Sequence, residues 1–217
     1  MKMIKIEHWS DYRCPFCYIA DAEFEDMMKT LGDTSDIVLI NKAFELDPEA
    51  PKKVDYSTAD VFSKKYGMSY DAAVRKLGMI DAYGRKVGIA GYNYSGAQPV
   101  NSFDAHRLTK YAEAEGVKGM YDRLMKAYFV DNVNIADFDT LVGIAVEMGL
   151  DKEETERMLR SDRYADDVRR DEYEAYQAHV ASVPTYLFED GRRFAGAGQA
   201  GQIKEVILEL RNKNHAY

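Results

Sequence analysis

Lys2-Met3-Ile4-Lys5-Ile6-Glu7-His8-Trp9, Asp11-Tyr12-Arg13 and Cys14-Pro15-Phe16-Cys17 together form the run whose reading decides the fold. Residues 2–9 alternate and are β-prone, which predicts a strand. Asp11-Tyr12-Arg13 reads as a short loop. Pro15 fits the first position of a helix, where its missing N–H costs nothing and its fixed φ suits the helix. From there Phe16, Ile19, Ala20, Phe24, Met27, Met28 and Leu31 recur at helical spacing, and Gly32 ends the helix. Ile37-Val38-Leu39-Ile40 then reads as a buried strand, parallel to the first because a helix separates them. The chain thus opens with a β-α-β unit. Both of its cysteines lie where the first strand hands over to its helix, the edge at which α/β folds usually bind ligands.

Positions i and i+3 share a helix face, so Cys14 is expected exposed at the helix N-terminus with Cys17 one turn in. The positive helix end and its free N–H groups favour an anion there, and a thiolate is the nucleophile of thiol–disulfide exchange. Arg13 adds a nearby positive charge. Cys17, close but less exposed, can attack a mixed disulfide and release the substrate. A purely structural bridge across so short a loop would gain little chain entropy. Zinc would need two more ligands, and no second C-x-x-C or H-x-x-x-H exists; His8, His106, His179 and His215 are scattered. Redox chemistry is the better reading.

Further along, Asp47-Pro48-Glu49-Ala50-Pro51 reads as a linker. Helices are expected at 57–66, 69–87, 101–115, 117–129, 137–148 and 151–160, with a loop over Gly88–Pro99. Stripes such as Tyr121, Leu124, Met125 and Tyr128 read as core. A helix over about 162–180 leads to Val183-Pro184 and a strand over 185–188. Asp190-Gly191 signals a hairpin, 193–195 is its returning strand, and a helix with Ile203, Val206, Ile207 and Leu210 closes the chain. This is an α/β domain, residues 1–46 and 162–217, interrupted by a helical insertion, 47–161.

The 217 residues carry a formal net charge of −8. An acidic surface repels phosphate backbones, and the pairs Lys52-Lys53 and Arg192-Arg193 are too short for a basic patch, so nucleic acid is not expected as a partner. No apolar run approaches the ~20 residues that span a bilayer, and the N-terminus lacks the apolar core of a secretory signal. With only two cysteines, a cytoplasmic protein is expected, without a membrane partner.

Four further motifs coincide with Cys14-Pro15-Phe16-Cys17. Val183-Pro184-Thr185 precedes a C-terminal strand, where thioredoxin-fold proteins carry a cis-proline loop. Asn101-Ser102-Phe103-Asp104-Ala105-His106-Arg107-Leu108 resembles the N-x-x-x-A-H-R-L signature of DsbA-like proteins of the FrnE type. Phe44-Glu45-Leu46-Asp47-Pro48 and Ala195-Gly196-Ala197-Gly198-Gln199 resemble that family's F-x-L-N-P and S-G-A-Q segments, the latter with an extra residue. The resemblance spans essentially the whole chain. It implies a thioredoxin fold with a helical insertion, Cys14 attacking and Cys17 resolving. It also implies a cis Pro184 and a substrate surface formed by Pro15, Phe16, Val183 and Pro184. His106 reads as a helix residue anchored near the domain interface, and Asn101 as a helix N-cap. Phe16 stands where DsbA itself carries His, and a neutral ring cannot stabilise a thiolate as an imidazolium could. A weaker oxidant is therefore expected.

The expected activity is thiol–disulfide exchange on thiol- or disulfide-containing proteins, needing no cofactor, with glutathione as a candidate redox partner. A second reading is a glutathione-dependent isomerase or transferase, since 2-hydroxychromene-2-carboxylate isomerases and kappa-class glutathione transferases share this layout. Those proteins carry serine at the first cysteine position, whereas this chain has Cys14 and a resolving Cys17. A third reading is a binding module whose thiols only sense redox state. An edge strand or insertion helix could also support a homodimer, but no heptad pattern argues for one.

Overall fold

The computed structural model describes residues 3–215. Strands β1 (Ile4–Ser10), β2 (Ile37–Ala43), β3 (Thr185–Phe188) and β4 (Arg193–Ala195) form one sheet in the order β2-β1-β3-β4. β1 and β2 are parallel, with Ile4 opposite Ile37 and Ser10 opposite Ala43, as the intervening helix requires. β3 runs antiparallel to β1, and β4 returns beside β3. The first strand was expected from residue 2; Lys2 lies outside the described residues.

Helix α1 (Pro15–Lys29) links β1 to β2, and α9 (Ala200–His215) packs beside it. Between β2 and β3 lie α2 (Thr58–Tyr66), α3 (Tyr70–Lys86), α4 (Phe103–Ala114), α5 (Met120–Phe129), α6 (Phe138–Glu147), α7 (Lys152–Leu159) and α8 (Ala165–Gln177). The spans expected from spacing overrun several of these by about a residue at each end, and the excess residues are the caps. Ser57, Ser69, Asp137 and Asp151 each accept a backbone N–H from the first turn of their helix, satisfying donors that the helix itself leaves open. The Gly88–Pro99 loop carries a single 3-10 turn at Tyr94–Gly96. The Asp81 carboxylate accepts from Tyr94 N at 2.6 Å and Ser95 N at 3.3 Å there.

Two apolar cores divide the molecule. In the smaller, Ile4 and Ile6 of β1, Tyr186 and Phe188 of β3, Phe24 of α1 and Ile203 and Ile207 of α9 pack together. The larger begins at Trp9 and Tyr12 and takes in Cys14, Cys17 and Ile19. It continues through Leu77, Tyr92, Leu108, Leu124, Tyr128 and Phe129 of the helical segment. Helix α1 serves both, turning Ala20, Phe24 and Met27 to one and Cys17 and Ile19 to the other. Tyr121, Leu124, Met125 and Tyr128 are all buried, as their spacing predicts.

Polar ties lock the helical segment to the sheet. Trp9 Nε1 donates to the Asp171 carbonyl at 2.9 Å. The Asp171 carboxylate accepts from Ala43 N at 2.9 Å and pairs with Lys110 Nζ at 2.6 Å. Buried carbonyls and carboxylates need such partners, because an orphaned one costs about 1–3 kcal/mol. Among the described residues no helix is long and apolar enough to cross a membrane.

Candidate active site

Cys14 is the N-cap residue of α1, in an extended conformation, with Pro15 opening the helix. Its N–H donates to the Asp11 carbonyl at 3.0 Å, and its own carbonyl accepts from Cys17 N at 3.0 Å. This turn holds the two side chains on one helix face, and both thiols are free. The expectation of an exposed Cys14 is corrected: only 5% of the residue is accessible. The reason is that the larger core closes around it. Cys14 Sγ lies 3.3 Å from the Val183 carbonyl, and the Tyr92 hydroxyl donates to the Pro15 carbonyl at 2.9 Å from the other side. Phe16, by contrast, stands 40% exposed beside it.

The Val183–Pro184 peptide is cis. Pro184 gives its carbonyl to Gly196 N at 2.8 Å, which fixes the turn against β4. Cys14 and Val183 thus meet at one edge of the sheet, where strand β3 begins and helix α1 starts, and Phe16 and Pro184 follow them in the chain.

Arg13 is adjacent to this edge, but its guanidinium is engaged by the Asp47 carboxylate at 3.2 Å and the Asp47 carbonyl at 3.2 Å. Its charge is therefore largely answered by Asp47, which weakens the sequence argument that it serves the thiolate directly. A cleft of about 670 Å³ opens beside it, lined by Arg13, Asp47, Tyr56, Lys64 and Pro99.

Asp11, just before the cysteines, is fully buried. Burial alone would raise its carboxyl. The His106 ring at 3.6 Å, the Leu46 N–H at 2.7 Å and Ser102 outweigh that and hold it below its ordinary range. The expectation that Asn101 is the N-cap of α4 is corrected: Ser102 holds that position, and Asn101, one residue earlier, still accepts from Phe103 N through its Oδ1 at 2.9 Å. Its Nδ2 donates to the Pro48 carbonyl at 3.1 Å. Arg107 donates to the carbonyls of Met158, Ser161 and Arg163 and pairs with Asp104 at 2.7 Å. The N-x-x-x-A-H-R-L run therefore works as a clasp. It ties the segment after β2, the α7–α8 turn and the loop before Cys14 to helix α4.

Cys17 has no accessible surface. Its thiol is pushed well up, by burial first and by the neighbouring Cys14 next, with the polar Ser10 side chain acting the other way. Ser10 Oγ lies 2.6 Å from the Tyr121 hydroxyl, which lies 2.7 Å from Asp21 Oδ2. His8 Nε2 stands 3.7 Å from the other Asp21 oxygen. Burial raises Asp21 well above the ordinary carboxylate range, and Asp122 and Glu25 add to that. These four residues come from β1, α1 and α5, and only the i, i+4 relation of Cys17 to Asp21 was readable from spacing. Among the described residues no three His, Cys, Asp or Glu side chains are placed to hold a metal ion.

The DSBA-like thioredoxin domain model matches residues 5–207 of this chain. The chain is similar to the uncharacterized protein YwbO of Bacillus subtilis (strain 168), 28% identical over 213 residues, covering 97% of this chain and 99% of YwbO. It is similar in structure to a probable DsbA oxidoreductase, SCO1869 from Streptomyces coelicolor. That match has a TM-score of 0.88 and 30% identity, over 95% of this chain and 89% of the other. A 2-hydroxychromene-2-carboxylate isomerase shares the fold at a TM-score of 0.70 and 16% identity, over 98% of each chain.

Proposed function

Because the chain belongs to the DSBA-like thioredoxin domain family, we propose that it is a thiol–disulfide oxidoreductase whose working pair is Cys14 and Cys17. One observation carries this reading. Two free thiols share the first turn of α1, one at the helix N-terminus against the Val183–Pro184 turn, the other sealed behind it.

The Cys14 thiolate attacks a substrate disulfide, forming a Cys14–substrate disulfide and expelling one substrate thiolate, which takes up a proton. Cys17, deprotonated, attacks the Cys14 sulfur. The Cys14–Cys17 disulfide forms and the second substrate thiolate leaves. Two electrons pass from the protein to the substrate, and the reverse sequence oxidises a substrate dithiol. Pro15, Phe16, Val183 and Pro184 are the surface against which the substrate lies. The sulfurs carry the electrons, so no cofactor enters, and thiol-bearing proteins or glutathione are the reaction partners. The chain has no cysteine outside this pair, consistent with a protein working in a reducing compartment.

The test is capture of the intermediate. Cys17→Ser, incubated with oxidised glutathione or insulin, should accumulate a covalent adduct at Cys14 visible by intact-mass measurement. Cys14→Ser should form none. Equal adduct formation by both variants would sink the assignment of roles.

The likeness to the isomerase over 98% of both chains supports a second reading, glutathione-dependent isomerisation. Cys17→Ser turning over a hydroxychromene carboxylate in the presence of glutathione would favour it over the first.

A further inference from the structure

The cleft beside Arg13 has no part in the sulfur chemistry as written above. Arg13 directly precedes Cys14 in the chain, and its ion pair with Asp47 forms one part of the lining. Helix α2 of the insertion forms another, through Asp60, Val61, Lys64 and Lys65. Positions 61, 64 and 65 are spaced i, i+3 and i+4, so they share one helix face. Tyr56, 42% exposed, and Pro99 add apolar surface. The volume of about 670 Å³ lies within the roughly 300–1,000 Å³ of sites that hold organic ligands.

The charges of this lining are unequal. Arg13 Nη1 is held by the Asp47 carboxylate at 3.2 Å. Asp60 is engaged in the capping box of α2, where its Oδ2 accepts from Ser57 N at 2.8 Å and from Ser57 Oγ at 2.6 Å. Lys64 and Lys65, both exposed, have no carboxylate partner among the described residues. Lys65 Nζ stands 5.8 Å from the Tyr66 ring centroid. Lys76 Nζ of α3, also without a carboxylate partner among the described residues, stands 5.0 Å from the same ring. The uncommitted charge at the cleft is therefore positive, on a chain whose formal net charge is −8. Carboxylates brought by a ligand would complete it, whereas an ammonium would find both carboxylates of the lining already engaged. Glutathione carries an ammonium beside its two carboxylates. An acidic stretch of polypeptide carries carboxylates alone and is the better match.

We propose that this cleft is a substrate subsite, in which Lys64 and Lys65 select protein clients with acidic residues close to the reacting cysteine. The inference deepens the reading of Cys14 as the attacking thiol and rests on it. A client whose sulfur meets Cys14 has its neighbouring residues beside Arg13, at the mouth of the cleft. Exposed ion pairs are individually weak, so the two lysines act on encounter and on KM rather than on the sulfur chemistry.

The probes are acetylated, amidated peptides with one cysteine flanked on both sides by glutamates, by glutamines or by lysines, each activated as its 2-pyridyl disulfide. The Cys14 thiolate attacks the peptide sulfur, the bond to the pyridyl sulfur breaks, and a Cys14–peptide disulfide forms. The 2-thiopyridone released takes up a proton and is read by its absorbance. Rate constants are divided by those of each probe with 2-mercaptoethanol, a neutral thiol. For the reduced wild type at low salt the glutamate peptide should react on the order of 10-fold faster than the glutamine peptide, and the lysine peptide slowest. The net charge of −8 alone would give the opposite order. The preference should shrink as the Debye length falls from about 30 Å at 0.01 M salt to about 3 Å at 1 M. Lys64→Gln combined with Lys65→Gln should lose it, and Lys64→Arg combined with Lys65→Arg should keep it. Lys152→Gln combined with Lys213→Gln, which removes two positive charges on α7 and α9 outside the cleft, should also keep it. In parallel, the same peptides with serine for cysteine are titrated calorimetrically, and the same preference and the same loss are expected. If no peptide releases thiopyridone, the reading of Cys14 fails, and the binding series still decides on the cleft. Equal values for the three peptides in both series, a glutamate preference that survives loss of both Lys64 and Lys65, or one lost equally without Lys152 and Lys213 would each overturn the subsite. A lysine-dependent gain larger for the 2-pyridyl disulfide of glutathione than for the glutamate peptide would overturn its assignment to acidic clients.

Discussion

The two apolar cores share strand β1 and helix α1, yet they do different work. The smaller closes the sheet against α1 and α9 and contains neither cysteine. The larger begins at the cysteines and runs unbroken into the insertion: Tyr92 reaches Pro15, and Phe129 stacks on Tyr92 with ring centroids 5.4 Å apart. The redox pair thus belongs to the core that the insertion completes. The insertion is therefore a structural part of the site, and its packing should be felt at the sulfurs, while the packing under α9 should not.

The largest expected effect tests that contrast. Phe129→Ala should cost about 3–5 kcal/mol and Ile207→Ala about 2–5 kcal/mol, the usual range for emptying a buried aromatic or aliphatic site. Urea melts read the two costs. Only Phe129→Ala should also speed alkylation of Cys14 by iodoacetamide, since it loosens the Tyr92 contact at the start of α1. Equal reactivity in both variants would break the distinction between the cores.

A smaller effect comes from His8, at the seam between the cores, stacked on Tyr186 at 4.3 Å and paired with Asn41 at 3.1 Å. Burial lowers it from 6.5 to about 4. The unfolded chain therefore binds a proton more readily than the folded one between those values. Stability from this group is fully present above about pH 6.5, falls as pH drops, and stops falling below about 4, a total on the order of 3 kcal/mol. Asp21, raised by burial, acts in the opposite sense over part of that range. The measurement is thus the pH dependence of the stability difference between wild type and His8→Gln, which should shrink by that amount on acidification.

The smallest effect sharpens how tightly the insertion is fitted. Gly78 and Gly84 both lie in α3. A Cβ at Gly78 would meet nothing within 4 Å, whereas at Gly84 it would fall 2.3 Å from the Tyr92 ring. Gly78→Ala should raise stability by about 0.5–1 kcal/mol through helix propensity and unfolded-state entropy. Gly84→Ala should lower it by about 1–3 kcal/mol through overpacking. Thermal melts of the pair check the opposite signs.

These regions also differ in how far the residues disclosed them. The β-α-β opening, the parallel first pair and the hairpin at Asp190-Gly191 follow from local period and turn chemistry, and each is present. The helices of the insertion were legible for the same reason. Cys14's burial was not, because it depends on Tyr92 and Val183, which lie 78 and 169 positions away in the chain. Nor was the set Ser10, Tyr121 and Asp21. Each has an ordinary local role in a strand or helix, and only tertiary packing brings them together. The clasp made by Asn101, His106 and Arg107 lies between these cases: the motif was visible in the sequence, but its partners Pro48, Asp11 and Met158 were not.

The central claim is that Cys14 and Cys17 form a reversible redox pair, and equilibration with glutathione tests it most directly. The protein would be held in a series of reduced-to-oxidised glutathione ratios, acid-quenched, alkylated and weighed. The account predicts a single two-electron transition between free dithiol and Cys14–Cys17 disulfide, at a potential between the roughly −270 mV of thioredoxin and the roughly −120 mV of DsbA. It should be absent in Cys14→Ser. Two thiols that remain free, or carry only glutathione adducts, across the whole series would contradict it.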